Sequence, residues 1–289
     1  MVADGNAWST RAGRGLVMKA IAIVALVLTV TSAVVLGPAP PAEAANRTIA
    51  IPVTEPAAVT LTGELYTPKG GGPHPAVILM HGCGGIGKNI PAWAMWLASE
   101  GYAALVVDSF SARGLRNVCA DSTALRPVVR AGDVPAAVAA LRSMSEIDPH
   151  RIGLIGFSHG GSTVLGAWRG FKRNPDATPR AIVAFYPGCA GQPAAAGAPP
   201  LLVLIGDRDD WSSPEACREL AEAARRAGRD VTLVLYPGAA HHFDGADLRG
   251  RVYVSGARGG KGATIEYNPA AHADSEAQVK RFLSEHLKP

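Results

Sequence analysis

The chain has 289 residues, of which 48% are apolar and 18% charged, with a formal net charge of +4 at neutral pH. That length and apolar share support one large domain or two small ones and exclude a chain that is disordered throughout. The charge is too mild and too scattered to suggest a nucleic-acid partner.

The first 44 residues read as a targeting segment. Arg11, Arg14 and Lys19 make a positive start, residues 20–36 are an apolar run, and Ala42-Glu43-Ala44 fits a small-x-small cleavage site. The expected organisation is a signal peptide over 1–44 and one domain over 46–289. The mature protein is then secreted or periplasmic, with no stable membrane association after cleavage. A retained anchor is the competing reading, because the apolar run is near the lower length for a span.

Past the leader, residues 48–53 and 59–66 predict two strands, the second alternating as an edge or antiparallel strand does. Residues 76–80 are continuously apolar, as in a strand covered on both faces, and run into His81-Gly82-Cys83-Gly84-Gly85. A helix is expected around 91–100 and a strand over 103–107, ending at Asp108. Residues 109–131 read as a long polar connection carrying Arg113, Arg116 and Cys119. A helix over 133–144 follows. The apolar run 152–155 then enters Gly156-Phe157-Ser158-His159-Gly160, a Gly-x-Ser-x-Gly turn between strand and helix. Strands are expected at 181–186, 201–205 and 231–236, and helices at 214–227 and 270–286. Residues 190–200 read as an Ala/Gly/Pro loop, and 245–268 carry no clear pattern. Strands alternating with helices predict an α/β fold with a mostly parallel sheet and helices on both faces.

In such sheets the chemistry sits at the carboxyl ends of the strands. Ser158 stands at one such end. Gly206-Asp207-Arg208-Asp209-Asp210 stands at a second, and His241-His242 follows a third. A serine hydroxyl needs an imidazole to take its proton, and the imidazole needs a carboxylate to fix its tautomer. The order Ser, Asp, His supplies all three. On the residues alone, the acid is open among Asp207, Asp209 and Asp210, and the base between His241 and His242.

From about Thr48 onward the chain resembles the dienelactone hydrolase family of α/β-hydrolases. The matching pieces are residues 79–85, 156–161, 206–211 and Tyr236-Pro237-Gly238-Ala239-Ala240-His241-His242-Phe243. The resemblance implies the α/β-hydrolase fold and selects Asp209, through the family's Gly-x-x-Asp, and His241. His242 fills a slot the family usually gives to glycine. The family's namesake enzymes use a cysteine nucleophile, so Ser158 marks this chain as similar to its serine esterase members.

The expected oxyanion donors are the backbone N–H groups of Cys83 and His159. Arg113 and Arg116, in the loop after Asp108, are candidates to bind an anionic group of the substrate. Cys83 with Cys119, and Cys189 with Cys217, lie on neighbouring elements at one edge of the sheet, which predicts those two disulfides in an exported chain. Gly82-x-x-x-x-Gly87-Lys88 imitates a phosphate loop but continues with Asn89 in place of Ser or Thr. No metal or cofactor is expected. The favoured function is a serine hydrolase of a small-molecule ester or lactone. A peptidase or polyester hydrolase on the same fold, and a non-catalytic binding protein, are the alternatives.

Overall fold

The computed structural model describes residues 45–55, 57–170, 178–189 and 198–288. The leader expected over 1–44 and most of the 190–200 loop lie outside them. Among the described residues no helix is long and apolar enough to cross a membrane.

An eight-stranded sheet organises the domain, in the order β1-β2-β4-β3-β5-β6-β7-β8. Its edge is antiparallel: β1 (Ala45–Val53) pairs with β2 (Val59–Thr67), and β2 with β4 (Ala103–Asp108). The remaining neighbours are parallel: β3 (His74–Met80), β5 (Ile147–Phe157), β6 (Ala181–Phe185), β7 (Leu201–Gly206) and β8 (Val231–Tyr236). β3 is buried from Pro75 to Met80 and β7 along its whole length, which is why both sequences are unbroken apolar runs.

From β3 the chain steps one way, through α1 (Asn89–Ser99), to β4. It then returns across β3, through α3 (Asp133–Arg142), to β5. Right-handed crossovers therefore put α1 on one face and α3 on the other. α4 (His159–Gly170) and α5 (Pro214–Arg226) continue in the α3 direction. α7 (Pro269–Leu287) joins α1 through the Trp93–His272 ring contact. α5 starts sharply because Ser213 accepts a hydrogen bond from Ala216 N at 3.1 Å and Pro214 sits in the first turn.

Two stretches differ from the sequence pattern. The 109–131 connection contains a 3-10 turn at Ser111–Arg113 and the short helix α2 (Pro127–Arg130). Its Phe110, Val118 and Leu125 bury themselves with Cys83 in a small satellite core. Eight and seven residues apart, they are too sparse to make a continuous helical or strand stripe in the sequence. Residues 252–265 form a small antiparallel hairpin of β9 (Val252–Val254) and β10 (Ala263–Ile265) around α6 (Ala257–Gly260). Three-residue strands are too short to show alternation.

Candidate active site

Ser158 sits between β5 and α4 with φ at +54°, the left-handed region that a non-glycine residue enters at a cost of about 1–2 kcal/mol. Its backbone is held on both sides, by Ser158 N donating to Phe185 O at 2.9 Å and Ser162 N donating to Ser158 O at 2.8 Å. The flanking glycines are steric necessities. A Cβ on Gly156 would lie 2.2 Å from Gly160 O, and one on Gly160 would lie 2.0 Å from Met80 O. The turn can therefore form only where helix and strands touch backbone to backbone.

His241 follows β8 and is 2% exposed. Its Nδ1 lies 2.8 Å from Asp209 Oδ2 and its Nε2 lies 2.8 Å from Ser158 Oγ. A carboxylate only accepts, so Nδ1 carries the proton and Nε2 is left to accept from the serine hydroxyl. The Tyr186 ring meets His241 edge-on at 4.6 Å, and Trp211 lies over it at 5.0 Å. Asp209 is fixed in turn, since its Oδ1 accepts from Trp211 N at 2.9 Å and Ser212 N at 2.7 Å. The two neighbouring carboxylates are engaged elsewhere. Asp207 accepts from Gly238 N at 2.7 Å and Asp210 from Thr264 N at 2.7 Å, both on the surface. His242 turns away, with φ at +60° and its Nδ1 3.4 Å from Tyr186 Oη.

The loop 81–83 runs beside Ser158, with the side-chain direction of Gly82 aimed at Ser158 Cβ, 3.6 Å from where a Cβ would stand. Among the described residues the backbone N–H groups of Cys83 and His159 have no backbone acceptor. Beneath them lies Arg130, fully buried, which the sequence does not mark. Its Nη1 donates to His81 O at 2.8 Å and contacts His159 Nδ1 at 3.1 Å, and its guanidinium lies 5.0 Å from the Phe110 ring centre. A guanidinium can only donate, so His159 Nδ1 accepts and the ring is neutral. Burial, then the Arg130 charge, lowers the His159 pKa to about 4 and holds His81 well below the usual histidine range. Burial also brings Arg130 down to about 9.

A second buried group escapes sequence reasoning. Asp244 accepts from Tyr186 Oη at 2.7 Å, Asn89 Nδ2 at 3.0 Å and Trp93 Nε1 at 2.9 Å. One carboxylate thus ties α1, the end of β6 and the histidine loop together. Tyr186, at φ +37°, is pushed far above the usual tyrosine pKa by burial and by Asp244, so it stays a neutral donor. The only sequence signal for this group is an aspartate three residues beyond His241.

Arg113 is not free to bind substrate. Its Nη2 and Nη1 donate to Asp133 at 2.6 and 3.0 Å, and its Nη1 also donates to Ser109 O at 2.7 Å. Arg116 is exposed and lines neither of the clefts beside Ser158. The fully buried Asp133 thus holds the Arg113 guanidinium in an ion pair, and neither arginine borders the two clefts. The disulfides Cys83–Cys119 and Cys189–Cys217 are both formed, as an oxidising compartment allows.

Among the described residues, two clefts border Ser158. One, of about 240 Å³, is bounded by His241, Tyr186, Phe157 and the glycines of the 82–87 loop; the other, of about 400 Å³, by His159, Ser162, Asp121 and Ser122. Cys83, Cys119 and Trp211 border both.

Comparison with known proteins agrees with this architecture. The sequence model of the dienelactone hydrolase family matches residues 61–287. A Methylorubrum extorquens protein provisionally named a carboxymethylenebutenolidase is 28% identical over 201 residues, covering 63% of this chain and 67% of its own. A Bradyrhizobium protein provisionally named a 2-oxo-3-(5-oxofuran-2-ylidene)propanoate lactonase is 29% identical over 191 residues, 58% of this chain and 73% of its own. The crystal structure of a dienelactone hydrolase from Anabaena variabilis superposes with a TM-score of 0.61 at 19% identity, over 85% of this chain and 99% of its own. At that identity the likeness is one of fold.

Proposed function

The chain belongs to the dienelactone hydrolase family of hydrolases, and from that premise we propose that it is an exported serine esterase working through Ser158, His241 and Asp209. The observation that carries this reading is the unbroken line Ser158 Oγ, His241 Nε2, His241 Nδ1, Asp209 Oδ2, with 2.8 Å at each contact, mounted on a strained strand-to-helix turn.

Ser158 Oγ attacks the ester carbonyl carbon while its proton passes to His241 Nε2. The carbonyl oxygen becomes an oxyanion facing the N–H groups of Cys83 and His159, each donor of this kind lowering the barrier by about 3 kcal/mol. Asp209 stabilises the imidazolium and holds its tautomer. Collapse of the intermediate breaks the bond to the alcohol oxygen, which takes the proton from His241. Water then attacks the acyl-serine with His241 again as base, releasing the acid and restoring the serine.

A fluorophosphonate probe should label the wild type on the Ser158 peptide, and Ser158→Ala should abolish both labelling and ester hydrolysis with the fold intact. Retained hydrolysis above about 1% in Ser158→Ala would move the nucleophile elsewhere.

A further inference from the structure

The two clefts that meet at Ser158 differ in which half of the reaction they can serve. His241 borders only the smaller one, and His159, whose N–H faces the oxyanion, borders only the larger. The departing oxygen must take its proton from His241 Nε2, so the alcohol leaves on the His241 side. The carbonyl oxygen lies between Cys83 and His159, and the acyl chain takes the remaining direction, away from His241.

Resting on the serine-esterase reading, we propose that the smaller cleft holds the alcohol and the larger one the acyl chain. The preferred substrate is then an open-chain ester joining a compact, uncharged, planar alcohol to a polar acid. The walls carry the chemistry. Among the described residues, no lysine, arginine or carboxylate borders the smaller cleft. Gly84, Gly85 and Gly87 leave one wall without side chains, and Phe157, Tyr186 and Trp211 offer ring faces and edges. An apolar cavity of about 150 Å³ accepts one benzene ring, so about 240 Å³ admits one ring with substituents or two fused rings. The larger cleft is bordered by Asp121, Ser122, Thr123, Ser162, Ser212 and Arg258, hydroxyls and balanced charges suited to an acid bearing hydroxyl or amide groups. An open-chain ester fills both clefts, whereas a small lactone ring carries both halves in one and leaves the other to water.

The test uses two half-exposed or exposed wall positions outside the reacting groups. Val254→Trp narrows the alcohol cleft and Ser122→Trp narrows the acyl cleft. Hydrolysis is measured on ethyl, phenyl and naphthyl acetates, and on phenyl esters of acetic acid and of longer hydroxy acids. Val254→Trp should lower kcat/KM for naphthyl acetate about tenfold or more while sparing ethyl acetate, whose turnover reports an intact fold. It should leave the deacylation rate unchanged, because the alcohol has already left. Ser122→Trp should discriminate by acyl length and not by alcohol. Reversed discrimination, or equal losses across both series, overturns the assignment. Those outcomes leave the esterase reading standing so long as turnover still requires Ser158; turnover independent of Ser158 removes the reading itself.

Discussion

Acid should unfold this protein through its histidines before its carboxylates protonate. His159 has an ordinary pKa near 6.5 in the unfolded chain and about 4 in the folded one, lowered by burial and by the Arg130 guanidinium at 3.1 Å. Between those values the unfolded state binds more protons, so the stability that His159 contributes is complete above about pH 6.5 and is lost as pH falls towards 4. From about pH 7.5 to about pH 4.5 the loss from this residue alone is about 2.5 kcal/mol. His81, lowered by burial and the same guanidinium, and His242, lowered chiefly by burial, act in the same direction. Asp108 falls in a separate window. Its burial is outweighed by hydrogen bonds from Ser111 and Phe110, so its contribution disappears only below the usual carboxylate range. The assay is urea unfolding across that pH range, with His159→Gln beside the wild type. Glutamine offers Arg130 an acceptor and cannot titrate. The variant should lose about 2.5 kcal/mol less than the wild type on acidification. Equal losses in the two proteins would refute a neutral His159 packed on a charged Arg130.

Asp209→Asn should lower kcat by roughly four orders of magnitude by fixing the wrong tautomer of His241, whereas Asp207→Asn, which keeps its acceptor for Gly238 N, should leave kcat near wild type. Steady-state kinetics decide, and the opposite ranking would move the acid. Arg113→Ala should destabilise the protein by about 3–5 kcal/mol, since it strands a buried Asp133, and should leave the ratio of rates on carboxylated and neutral esters unchanged. Calorimetry and a two-substrate assay read the two halves separately. Cys189 and Cys217 are buried while Cys119 is half-exposed at the clefts, so a mild reductant should open Cys83–Cys119 first. Each bridge closes a loop of 28 or 36 residues and should contribute about 4 kcal/mol. Activity should fall before the circular dichroism does, and simultaneous loss would contradict it.

What was legible in the sequence follows from where each signal is stored. Ser158, Asp209 and His241 stand at ends of parallel strands, and those strands announce themselves as apolar runs. Their meeting therefore needs only the α/β alternation. The glycine slot occupied by His242 also has a local cause, its φ of +60°. The Arg113–Asp133 pair was not legible. Each residue alone looks like a loop arginine or a helix-start aspartate, and the contact that redefines both spans 20 positions. Arg130 fails for the same reason. It ends a four-residue helix inside a stretch that reads as polar, and only the packing of Phe110 and His159 around it reveals a buried charge. Asp244 is silent because its three donors come from two other elements.

The β9–β10 hairpin divides inheritance of chemistry from inheritance of taste. It lies between β8 and the last helix, supplies Val254 and Ile265 to the smaller cleft, and contains none of Ser158, Asp209 or His241. Its base is stitched to them, with Ile265 bridged to His241, Glu266 N donating to His241 O at 3.2 Å, and Thr264 N to Asp210. Its tip, residues 255–262, is rich in glycine and crosses the left-handed region at Arg258 and Gly259. The tip brings Arg258 and Gly259 to the larger cleft, so on the assignment proposed above a lineage that lengthens, shortens or exchanges it would meet new acyl groups with the same nucleophile. The same change made at Ile265 or Glu266, the seam with His241, would move the base itself. Insertions and deletions among relatives should therefore accumulate at the tip and stop at Thr264.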